Sequence, residues 1–169
     1  VVLIFLFNQR GDMRRGLKLG LPALLAAIGL WVVASAVHTD RERLKKSAIG
    51  LVRAVASGDA AGADRALADD AILRTFIDAS GLPKDRILER VERDFRKGGS
   101  LEVKEHAILE IQAATQGQSD GFVQFKLRAT PQATGGPTFS WWRIDLTRDS
   151  SGEWRTTGID LLESSFGRR

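Results

Sequence analysis

LEVKEHAILEI, residues 101–111, decides the fold of this 169-residue chain through the rhythm of its side chains. Leu101, Val103, Glu105, Ala107, Leu109 and Ile111 alternate with Glu102, Lys104, His106, Ile108 and Glu110. A period of two belongs to a strand, whose successive side chains point to opposite faces. The rhythm returns at residues 122–129, where Val123, Phe125 and Leu127 alternate with Gln124, Lys126 and Arg128, and again at 139–147 and 153–162. Turn-forming stretches at 116–121, 131–137 and 149–152 lie between. Hairpin-length connections and one apolar face predict a four-stranded antiparallel meander.

Upstream of residue 100 the rhythm is helical. Thr39-Asp40 caps a helix bearing Leu44, Ala48, Leu51, Val52 and Val55, which ends at Ser57-Gly58. Asp59 opens a shorter helix with Ala63, Ala66 and Leu67 on its apolar face. Asp69-Asp70-Ala71-Ile72-Leu73 reads as a short extended piece. Pro83 is placed to start a third helix, striped by Ile87, Leu88, Val91 and Phe95 and stopped by Gly98-Gly99. Helices first and sheet afterwards predicts an α+β layer arrangement, three helices packed on one face of the meander plus one short strand.

Ahead of this domain, residues 19–37 read LGLPALLAAIGLWVVASAV, nineteen residues without a charge. A helix of that length nearly spans a hydrocarbon core of about 30 Å, at about 1.5 Å per residue. The expected organisation is a basic tail over 1–18, a transmembrane helix or uncleaved signal anchor over 19–37, and a domain over 39–166. Ala34-Ser35-Ala36 keeps signal-peptide cleavage open as an alternative. The run exceeds the usual apolar core of a signal peptide, which favours an anchor. The short basic amino terminus predicts a single-pass protein with its carboxyl-terminal domain on the non-cytoplasmic side.

The composition excludes several classes. The chain has no Cys and two His, which removes disulfide scaffolds, thiol nucleophiles and Cys/His zinc sites. No metal or cofactor is expected. The net charge of +4 comes from 25 basic and 21 acidic residues with the signs interspersed, unlike the basic stripe that nucleic acid requires. Gly117-Gln118-Ser119-Asp120-Gly121 matches the nucleophile-elbow string G-x-S-x-G, but a strand follows where the elbow needs a helix. It reads as a turn.

The helix, Gly58-Asp59, the run Leu67-Ala68-Asp69-Asp70-Ala71-Ile72-Leu73, a further helix and a meander ending in Trp154-Arg155-Thr156-Thr157-Gly158-Ile159-Asp160 resemble the nuclear transport factor 2-like superfamily. This cone-shaped fold includes ketosteroid isomerases and polyketide cyclases. The resemblance covers about residues 40–164 and implies a strongly curved sheet, a pocket at its open end, and an outer sheet face used for dimerisation. It transfers no activity. The chain lacks Tyr, the common oxyanion donor of the isomerase mechanism.

Alternation places Glu105 on the inward face, where a carboxylate with a raised pKa serves as a general base. Arg155 falls on the inward parity of the last strand as its partner, and Trp142 points inward as a pocket wall. Phe76 completes this candidate site for a small apolar ligand. Trp141, Arg143 and Trp154 fall on the outward parity and form a candidate dimer face. The expected function is a membrane-tethered, non-catalytic domain binding a small apolar ligand or a protein. The alternatives are an isomerase- or cyclase-type enzyme with Glu105 as base, and a dimerising assembly module.

Overall fold

The computed structural model describes residue 27 and residues 40–165, apart from 77 and 79. The chain divides into two compact units, Val1–His38 and Thr39–Arg169. The expected tail and membrane span lie outside the described residues, save Ala27, which is helical and exposed. Among the described residues no helix is long and apolar enough to cross a membrane.

The second unit begins with α1 (Asp40–Ala56), which buries Leu44, Ala48, Leu51 and Ala54 along one stripe. Gly58 ends the helical run with φ of +69°, and a Cβ there would stand 2.7 Å from the Arg96 Cα. Backbone conformation and space both demand glycine. The Asp59 carboxylate accepts from the Gly62 amide at 2.8 Å and caps α2 (Ala60–Ala66). Then come β1 (Leu67–Arg74), the two-residue β2 (Leu82–Pro83) and α3 (Lys84–Arg90), which continues as one π-helical turn over Val91–Phe95. Pro83 is not the first helical residue but stands one residue before α3, with its backbone extended.

The meander follows as β3 (Val103–Gln116), β4 (Asp120–Pro131), β5 (Thr138–Arg148) and β6 (Trp154–Ser164). The expectation of four strands and one short piece is corrected to a six-stranded sheet, ordered β2-β1-β6-β5-β4-β3. The β1–β6 pair is parallel, whereas the others are antiparallel. Val123, Phe125, Ile144, Leu146, Trp154 and Ile159 of the sheet meet Leu44, Ala48, Leu51, Ala63, Ile87 and Val91 of the helices in one core. This is the α+β arrangement of a helical layer on one sheet face, and the space between the layers is filled with side chains.

Register breaks decide which residues face that core. In β3 the ladder steps from Ile108↔Leu127 to Glu110↔Lys126, and from Val103↔Pro131 to Glu105↔Thr130. In β6 it steps from Leu146↔Thr156 to Asp145↔Gly158, and from Trp142↔Leu161 to Trp141↔Glu163. Each step inserts one extra residue and flips the parity of everything beyond it.

Candidate association face on the sheet

The bulges redistribute the residues that simple alternation assigned. Ile108 and Ile111 pack on the core, three residues apart rather than two, so Glu105 shares the parity of Thr130 and Arg128 on the outer face. It is exposed, and the inward placement of Glu105 is corrected. In this position its carboxylate faces solvent and not the core between the layers. In β6 the extra residue at Thr157 puts Trp154 and Thr156 inward and Arg155 outward, the reverse of the expected parity. Arg155 lies opposite Thr147, where its Nε donates to the Asp149 carboxylate at 3.1 Å and Nη1 donates to the Arg65 carbonyl. Asp149 also accepts from the Ser151 hydroxyl and the Glu153 amide, and these bonds hold its pKa at about 2.

Trp142 keeps its inward place, half-buried against the core, and donates its indole N–H to the Ser140 hydroxyl at 2.7 Å. Phe76 is 67% exposed beyond the end of β1. Glu105, Arg155, Trp142 and Phe76 therefore do not converge on a common cavity. Two open concavities stand out among the described residues. One, of about 580 Å³, is lined by Asp64, Asp69, Lys84, Asp149 and Arg155 among others. Its charges are matched internally: Lys84 bridges Asp64 at 2.9 Å and Asp69 at 3.0 Å, which raises the lysine pKa. No group of three or more metal-ligating side chains occurs among the described residues. Gly117-Gln118-Ser119-Asp120-Gly121 spans the β3–β4 turn, where Ser119 donates to Asp120.

The second concavity lies on the outer face, away from the helices. It measures about 400 Å³ and is lined by Lys126, Phe139, Trp141, Glu163, Ser164 and Ser165. Trp141 is its floor, with the Lys126 ammonium 5.5 Å from the ring centroid. Around it the face is unusually apolar at its edges: Leu109 is 48%, Phe139 40% and Leu162 45% exposed. Leu109 and Leu162 are the extra residues of two bulges, so the register breaks themselves turn leucines outward. These two are the residues of this face that alternation missed, because a bulge leaves no mark in composition; Phe139 shares the parity of Trp141 two residues on and is readable from it.

Of the three residues expected on the outward parity, Trp141 and Arg143 have it. Arg143 stacks its guanidinium 4.4 Å from the Phe122 centroid and pairs with Asp145 at 2.9 Å. Trp141 lies beside it on the same strand. Trp154 is the correction: it is 6% exposed, inside the core, with the Arg148 guanidinium 4.8 Å from its ring centroid.

No protein-family model matches the chain, and no curated protein matches it. Solved structures do. A ketosteroid isomerase-like protein from Erwinia carotovora atroseptica is 18% identical with a TM-score of 0.55, over 75% of this chain and 99% of its own. An NTF2-like protein from Cytophaga hutchinsonii is 10% identical with a TM-score of 0.61, over 73% of this chain and 97% of its own. The association domain of C. elegans CaMKII is 11% identical with a TM-score of 0.61, over 72% of this chain and 94% of its own. At these identities the likeness shows the fold alone, an α+β fold shared with NTF2-like and ketosteroid isomerase-like proteins, and not the activity.

Proposed function

We propose that this chain is an association domain that pairs with a second copy through the outer face of its sheet. Residues 19–37 hold it at a membrane, with the domain on the non-cytoplasmic side. The observation that carries the reading is the band of Leu109, Phe139, Trp141 and Leu162 on a face no described helix covers. Exposed apolar residues scattered singly are ordinary; a contiguous band rimmed by charge marks an interaction surface. The filled core and the exposed Glu105 favour association over turnover in an apolar pocket. One structural relative is itself named as an association domain, and the fold accommodates that role.

The test is sedimentation of the full chain in density-matched detergent. Wild type is expected to be dimeric, and Phe139→Ser with Trp141→Ser to be monomeric with an unchanged circular dichroism spectrum. A dimer that survives both substitutions would remove this face from consideration. For the anchor, extraction of membranes with alkaline carbonate should leave the chain in the pellet; release into the supernatant would refute a spanning segment.

A further inference from the structure

We infer that the two copies are related by a twofold axis running along β5, which sets Lys126 of each copy against Glu163 of the other. The inference rests on the association reading above and deepens it. Lys126, Trp141 and Glu163 stand in one row across the outer face, since Trp141 is the ladder partner of both. With strands about 4.8 Å apart, the backbone positions of Lys126 and Glu163 stand about 10 Å apart on either side of Trp141. The indole stands between them, and neither has an ion-pair partner among the described residues. Lys126 leans on the Trp141 ring instead.

A closed pair of stacked faces requires its twofold axis to lie in the interface plane, so each residue meets its reflection across the axis. An axis along β5 exchanges β4 with β6. Lys126 then falls on Glu163 of the second copy, and the reciprocal pair forms on the other side. Trp141 and Phe139, on β5 itself, meet their own counterparts on the axis. Arg143 is also on β5, and Asp145 at 2.9 Å neutralises it within its own chain. The same operation exchanges β3 with β1, bringing the exposed Leu109 toward the end of β1 where Phe76 is 67% exposed. An axis across the strands through the same row would instead oppose Lys126 to Lys126 and Glu163 to Glu163, and like charges facing each other are unfavourable. Aligned packing of two sheets, within about 30°, is a common stacking geometry and preserves these neighbours.

The test uses the full chain in detergent and reads the dimer dissociation constant by energy transfer between copies labelled at Gln118→Cys, the chain having no cysteine of its own. Lys126→Glu sets two carboxylates together at both pairs, and Glu163→Lys sets two ammoniums together. Each variant alone should dimerise about thirtyfold more weakly, from two exposed pairs turned repulsive. An equimolar mixture of the two should recover wild-type affinity to within about threefold, because the mixed dimer contains one native pair and one swapped pair. Recovery in the mixture requires the pairing to lie between copies. Weak singles without recovery, or singles as tight as wild type, would overturn the axis while leaving a dimer in place; a monomeric wild type would overturn the association reading itself. As a second measurement, Lys126→Cys mixed with Glu163→Cys, both lacking the label site, should form disulfide-linked dimers on oxidation, faster than either alone. Equal rates would overturn the assignment.

Discussion

Trp154→Ala separates the two tryptophans that alternation places on one surface. Trp154 is 6% exposed, so nearly the whole indole, about 200–250 Å² at 25 cal/mol per Å², leaves water on folding. That transfer alone is about 5–6 kcal/mol as an upper bound, and measured truncations of buried aromatics cost about 3–5 kcal/mol. The Arg148 guanidinium also loses the ring it lies on. Against a domain stability of about 5–15 kcal/mol, the loss is a large fraction. At roughly 3–5 °C per kcal/mol for a domain of this size, the melting temperature should fall by about 10–20 °C. The assay is thermal unfolding of the full chain, followed by circular dichroism in the β-sheet region. Trp141→Ala should shift the same transition by no more than its contribution to pairing, and at concentrations below dimerisation hardly at all. A Trp154→Ala variant that melts within 2–3 °C of wild type, an allowance about one cautious conversion step wide, would refute the inward placement and with it the register of β6.

Thr156 is 1% exposed and its hydroxyl has no hydrogen-bond partner, so Thr156→Val should stabilise the domain by about 1 kcal/mol, measured by urea unfolding. Gly58→Ala should destabilise by more than about 1 kcal/mol, because φ is +69° and the new methyl meets the Arg96 backbone; the same unfolding series checks it. Asp149 titrates at about 2 instead of 3.8, so its bonds favour the folded state above its ordinary pKa and are lost as pH falls toward 2. Melting temperature should therefore decline over that interval in wild type and decline less in Asp149→Asn. Glu105→Gln should leave stability within about 0.5 kcal/mol and dimer affinity unchanged; a larger shift in either would return this carboxylate to consideration.

The strands themselves are plain in the sequence, because Val123, Phe125 and Leu127 or Ile144 and Leu146 alternate without interruption through well-paired ladder. Trp142 and Trp141 are correctly divided between the two faces for the same reason, since no bulge lies within β5. What alternation misplaces is everything beyond a register break. Glu105 and Arg155 move outward and Trp154 inward because one residue is added near Leu109 and one near Thr157. The break near Leu109 carries no glycine or proline to mark it; the one at Thr157 abuts Gly158, but a single inserted residue changes no composition. The parallel β1–β6 contact is equally silent. Residues 67–74 read as extended, but pairing with a strand more than eighty residues later follows from the closure of the whole layer and not from local pattern.

That parallel contact has a consequence for how the molecule is made. β1 leaves the ribosome early, yet its neighbour in the sheet is the final strand, with Leu67 beside Thr156 and Arg74 beside Asp160. Contacts this distant in sequence slow the search for the native state. Until synthesis reaches β6, β1 has only the two-residue β2 to pair with. The nascent chain therefore passes through a period in which it is vulnerable to holdase binding or to premature proteolysis. A chain stopped at Gly152 should consequently be degraded rather than accumulate as a smaller domain.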